Sequence, residues 1–88
     1  MSYEVTFSST AVRDLDRIPP RIASAVIEFA FGDLARNPHR VGKRLERELA
    51  GLYSARRGPY RILYEKYEEE VRVIVIRVDH RAEAYRPR

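Results

Sequence analysis

The stretch from Val71 to Val78 constrains the fold more than any other. Val71, Val73 and Val75 fall on one face of an extended chain, and Ile74, Ile76 and Val78 on the other. A strand that is apolar on both faces is covered on both, so it belongs inside a sheet. Its partners must come from the same domain, because 88 residues are enough for one domain only, spanning 1–88.

The nearest partners lie just upstream. Residues Gly51 to Tyr64 read Gly-Leu-Tyr-Ser-Ala-Arg-Arg-Gly-Pro-Tyr-Arg-Ile-Leu-Tyr. Two short runs, Leu52 to Arg57 and Tyr60 to Lys66, flank a Gly58-Pro59 break, the pattern of a hairpin. On the second run Tyr60, Ile62 and Tyr64 share one face, and Arg61, Leu63 and Glu65 the other. An acidic turn, Tyr67 to Glu70, leads into the Val71–Val78 strand. Near the start, Tyr3, Val5 and Phe7 alternate with polar residues and predict a half-buried strand.

Two helices separate that strand from the hairpin. Ser8-Ser9-Thr10 offers hydroxyl caps, and Val12, Leu15 and Ile18 recur at helical spacing before Pro19-Pro20. Proline is tolerated in a first helical turn, so Pro20 opens the next helix. From Arg21 to Arg36 the apolar stripe is Ile22, Val26, Phe29, Ala30 and Leu34, widened by Ala23, Ala25 and Ile27. Asn37-Pro38 ends it. Between His39 and Leu49, Gly42 predicts a loop, with Leu45 and Leu49 as a helical turn or as plugs for the core.

The expected architecture is therefore α+β: an N-terminal strand, a two-helix hairpin, a three-stranded antiparallel meander and a short C-terminal tail. The helices cover one face of the sheet. The other face, carrying Arg61 and the tail, is partly open.

Charge narrows the chemistry. The net charge is +4, and the excess sits between Arg36 and Arg61 and in the tail from Arg77 to Arg88. A basic middle and a basic tail suit an anionic partner: nucleic acid, an acidic protein segment or a membrane surface. No apolar run approaches the length of a membrane span and no signal peptide opens the chain, so the cytoplasm is the expected location. With no cysteine, disulfides and thiolate metal sites are excluded. His39 and His80 show no metal-ligand spacing, no Gly-rich phosphate loop is present, and neither metal nor cofactor is expected.

What remains is an arginine-tyrosine-histidine site. Arg56, Arg57 and Arg61 flank the hairpin turn and are expected to cluster on one area of sheet. Guanidiniums keep their charge and offer planar forks of donors that match phosphate. Arg61 sits among apolar neighbours, so it needs an anion or a carboxylate nearby. Tyr60 or Tyr85 could stack on a base, and His80 has a side chain suited to moving a proton near neutrality. The plainer reading of each is a solvated hairpin, sheet packing and a surface histidine.

The order of these parts is familiar. A helical hairpin ending in Asn-Pro, then Gly-Leu-Tyr-Ser-Ala-Arg-Arg-Gly-x-Tyr-Arg-Ile-Leu-Tyr, then Val-Asp-His-Arg and a closing Ala-Tyr-Arg resemble the RelE/ParE superfamily of toxins. The likeness runs nearly the full length and is nearest to the RelE branch of mycobacteria and other actinobacteria. It implies the toxin of a type II toxin–antitoxin system, a ribosome-dependent endoribonuclease. Such toxins cut mRNA in the 30S A site without metal, by attack of the 2′-hydroxyl on the adjacent phosphate.

The resemblance matches Arg61, Arg81 and Tyr85 to catalytic positions. It places Lys43, Arg44, Arg56, Arg57 and His80 among residues that hold RNA phosphate or the ribosome. It departs from the family at Leu52 and Ser54, where studied members carry lysines. It also implies a RelB-like cognate antitoxin and a hetero-oligomeric complex. The other reading is a ParE-like poison of DNA gyrase without ribonuclease activity.

Overall fold

In the computed structural model, which describes residues 2–80, five strands form one sheet. They are Glu4–Phe7 (β1), Lys43–Arg44 (β2), Tyr53–Arg57 (β3), Tyr60–Tyr67 (β4) and Arg72–His80 (β5), in the order β1-β5-β4-β3-β2. The Val71–Val78 run is an interior strand, as its pattern requires: β5 pairs with β1 in parallel and with β4 antiparallel. The hairpin closes at Gly58-Pro59, with Gly58 at φ +58°. A glycine in the left-handed region followed by a proline with its fixed negative φ fits a type II′ turn, whose twist matches the flanking strands.

The helices are Ser9–Arg17 (α1), Pro20–Phe29 (α2) and the short Pro38–Val41 (α3). A wide π-helical turn, Ala30–Leu34, extends α2. Ser8 opens α1. Its hydroxyl accepts from the Ala11 N–H at 3.1 Å and donates to the Ile76 carbonyl at 2.9 Å, so one side chain both caps the helix and fastens it to β5. Against one face of the sheet, Val26, Phe29, Ala30 and Leu34 meet Val5, Ile62, Tyr64, Val73, Val75 and Val78 in a single core. Each large aliphatic side chain fully buried there contributes about 1.5–3 kcal/mol.

Three expectations are corrected. The first concerns β5. Its pairing with β4 runs to Leu63 opposite Arg77, and then Tyr64 stands opposite Val75. Ile76 is thus the extra residue of a β-bulge, which shifts the alternation by one. Val78 joins Val73 and Val75 in the core, and Arg77 is turned out of it.

The second concerns α1, where Leu15 and Ile18 pack against the core as expected but Val12 does not. Ala11 and Asp14 face inward, while Val12 is 48% exposed. On α2, Ile27 likewise points outward. The third concerns His39 to Leu49, which is neither simple loop nor core plug. It holds the end of α3, the edge strand β2 and a 3-10 turn at Arg47–Leu49, with Leu45 and Leu49 half-buried.

Tyr64 joins these pieces. Its hydroxyl donates to the Pro38 carbonyl, tying α3 to β4. Its ring stacks on Tyr53 with centroids 5.6 Å apart. Burial, with a smaller contribution from Tyr53, pushes its phenol up to about 12. Gly42 passes directly beside this ring. A Cβ there would collide with the hydroxyl and lie 2.9 Å from both the Ser54 carbonyl oxygen and the Tyr64 Cζ. The edge strand can follow β3 only because residue 42 has no side chain.

Candidate functional site

The face of the sheet away from the core carries the charge. Opposed residues in adjacent strands point to the same side. Lys43 lies opposite Ser54, Ser54 opposite Leu63, and Leu63 opposite Arg77. Two residues further along, Arg56 lies opposite Arg61 and Arg61 opposite Asp79. These two rows border a cleft of about 350 Å³, lined by Val41, Lys43, Arg44, Leu45, Ser54, Ala55, Arg56 and Arg61. Three of the predicted site residues, Lys43, Arg56 and Arg61, share this face; Arg44 borders the cleft from the edge strand, but it stands opposite Tyr53 and so is set toward the other face. Asp79 stands directly across the β4–β5 ladder from Arg61, with its carboxylate 2.7 Å from Arg77.

Arg57 is not part of this cluster. Neighbouring residues in a strand alternate between faces, so Arg56 and Arg57 cannot share one. The Arg57 guanidinium lies 4.1 Å from the centroid of the Phe29 ring and 3.6 Å from the Asp33 carboxylate, on the helix side. His80 is separated from the cleft as well. It stands opposite Tyr60, with ring centroids 5.8 Å apart and planes at 78°. Together they border a second cleft of about 230 Å³ with Asp14, Arg17 and Arg77. Tyr60 is thus held edge-on by His80 instead of standing beside Arg61. Arg81 and Tyr85 lie outside the described residues.

Asp14, which the sequence reading passed over, organises the end of β5 beyond the reach of β1. Its carboxylate accepts from the Val78 N–H at 2.9 Å and from Arg77 Nε at 2.9 Å. Arg77 also reaches Asp79 at 2.7 Å. A carboxylate 5% exposed is tolerated because both charge and hydrogen bonds are satisfied. The sequence held no local signal for this contact, since Asp14 and Arg77 are 63 residues apart.

The sequence and the fold are both shared with known toxins. Residues 5–85 match the family model described as the ParE toxin of type II toxin–antitoxin system, parDE. The chain is 62% identical to Toxin RelG of Mycobacterium tuberculosis, over 98% of this chain and 99% of that protein. The chain belongs to the RelE family of type II toxins. Toxin RelE of the same organism is 49% identical, over 96% of this chain and 87% of that protein. The toxin–antitoxin complex RelBE2 of M. tuberculosis contains a chain of the same fold. It has a TM-score of 0.88 and 60% identity, over 91% of this chain and 99% of that one.

Within the RelE frame, the departures at Leu52 and Ser54 take on geometry. Leu52 precedes β3 and is half-buried, and its carbonyl accepts from the Leu45 N–H at 2.9 Å. Ser54 is 7% exposed in the floor of the cleft, and its cross-strand neighbour is a lysine, Lys43.

Proposed function

We propose that this toxin is a ribosome-dependent endoribonuclease that cuts mRNA in the A site and is neutralised by a cognate antitoxin. The observation that supports it is the convergence of Lys43, Arg56 and Arg61 on one cleft of the open sheet face. Such a cleft binds a phosphodiester through paired guanidinium forks. It also favours the extra negative charge that develops on phosphorus, which is where catalysis gains most. The RNA supplies its own nucleophile. The 2′-oxygen bonds to phosphorus as its proton leaves, the bond from phosphorus to O5′ breaks, and O5′ takes up a proton. The products are a 2′,3′-cyclic phosphate and a 5′-hydroxyl.

In this reading Arg61 and Arg56 contact the scissile phosphate, and Arg44, at the sheet edge and set to the other face, meets the RNA or ribosome away from it. Arg81 and Tyr85 complete the site from the tail, as the family resemblance implies. Arg57 and His80, on the helix side, take no part at phosphorus. The same basic surface suits an acidic and apolar antitoxin segment, so inhibition by occupation follows from charge.

Primer extension on message from induced cells tests the reading. Codon-phased cuts are expected with the wild-type chain. Arg61→Ala is expected to lower cutting by about 10²–10³-fold, the usual effect of one lost charge-stabilising donor. Growth arrest with intact message and an SOS response would overturn the ribonuclease and favour the gyrase reading.

A further inference from the structure

We propose that Lys43 is the general acid that delivers a proton to the departing 5′-oxygen. This rests on the ribonuclease reading above and assigns a step which that reading leaves open. An alkoxide is a poor leaving group, so a cut of this kind gains from a donor placed at O5′. The described residues of the cleft offer few candidates. Val41, Leu45 and Ala55 carry no transferable proton. Arg44, Arg56 and Arg61 stabilise charge but do not give their protons up. The Ser54 hydroxyl is a far weaker acid than an ammonium. Lys43 is the lining side chain that carries positive charge and a proton it can release.

Its position suits the task. Lys43 belongs to the row next to Arg56 and Arg61, displaced by two residues along β3. With the spacing of about 4.7–4.9 Å between strands added to the two-residue step, the Lys43 Cα lies about 8 Å from that of Arg56 and about 12 Å from that of Arg61, gaps that these long side chains bridge by reaching from both ends. A phosphate held by Arg56 and Arg61 through its non-bridging oxygens then lies within reach of the ammonium, which can meet its bridging O5′.

A donor must also be held in place, and a two-residue edge strand is a weak support. Here it is anchored on both sides. Gly42, just before Lys43, is seated against the Ser54 carbonyl and the Tyr64 ring with no room for a side chain. Leu45, two residues after Lys43, donates to the Leu52 carbonyl at 2.9 Å. The backbone of Lys43 is fixed between these contacts while its side chain stays exposed over the cleft.

The experiment compares two messages programmed into ribosomes, one all-oxygen and one with sulfur in place of the bridging O5′ at the A-site codon. A thiolate leaves without protonation, so the second message has no use for an acid. Lys43→Arg keeps the charge, removes the transferable proton and lies on an exposed position. On the oxygen message it is expected to cut about 10²–10⁴-fold more slowly than wild type. On the sulfur message the two proteins are expected to agree within about tenfold, and that rescue shows that the variant is folded and binds. Cutting of the oxygen message by Lys43→Arg within about threefold of wild type overturns the proposal, as does an equal loss on both messages. If the wild-type chain cuts neither message, the ribonuclease reading itself fails and this one falls with it.

Discussion

Replacing Gly42 by alanine tests whether the edge of the sheet is held by close packing. The backbone of Gly42 is extended, at φ −128° and ψ 171°, so alanine meets no conformational strain. The cost is steric. The added Cβ would sit 2.9 Å from the Ser54 carbonyl oxygen and 2.9 Å from Tyr64 Cζ, with the hydroxyl closer still. Tyr64 is fully buried and Ser54 is inside a ladder, so neither gives way. Overpacking of this kind costs about 1–3 kcal/mol. If the ring moves, the hydroxyl also loses the Pro38 carbonyl, which adds roughly 1–3 kcal/mol for a buried bond left unmade.

A total near 3 kcal/mol lowers Tm by roughly 12–24 °C in a domain of this size. Thermal and urea unfolding followed by circular dichroism measure it. The decisive comparison is a double-mutant cycle with Tyr64→Phe, which removes the hydroxyl that the new Cβ meets first. The double mutant should be more stable than the sum of the single costs by at least about 1 kcal/mol. Additive costs, or a Gly42→Ala chain within about 0.5 kcal/mol of wild type, would refute the argument.

Three further outcomes are expected. Asp14→Ala leaves the buried Val78 N–H and Arg77 Nε without their acceptor, while Asp79 still pairs with Arg77, and should cost about 1–3 kcal/mol in urea unfolding. Gly58→Ala meets no atom within 4 Å but must hold φ +58°, so a loss of about 1–2 kcal/mol is expected from conformation alone. Stability should fall as pH rises from 10 to about 12. The unfolded Tyr64 phenol loses its proton from pH 10 upward while the folded one keeps it, so the unfolded state binds fewer protons. The part of this slope that belongs to Tyr64 should vanish in Tyr64→Phe, compared across that range by urea titration.

Sequence alone reveals those features that local pattern encodes. The double-sided apolar run announced β5, and Gly58-Pro59 announced the hairpin, because twist and φ select those residues directly. The helix limits at Ser8, Pro20 and Pro38 were legible for the same reason. The edge strand was not: Lys43-Arg44 has no alternation, and pairing with Tyr53 and Ser54 makes it a strand. The arginine cluster was half legible. Composition located the charge, but the face of each arginine follows from register, which separates Arg57 from Arg56. Asp14 was invisible, since its partner lies on the last strand and only the folded chain brings them together.

The bulge at Ile76 has a consequence for how this chain can change over generations. Residues upstream of it are read in one parity and residues downstream in the other. Val75 and Val78 can be exchanged for other aliphatic residues one at a time, because each substitution leaves the parity intact. Loss of the single inserted position is a different kind of event. It would carry Arg77 toward the core and Val78 toward the charged cleft in one step, with no gradual path between the two arrangements. The strand thus behaves like a reading frame: it is permissive to spelling and intolerant of length.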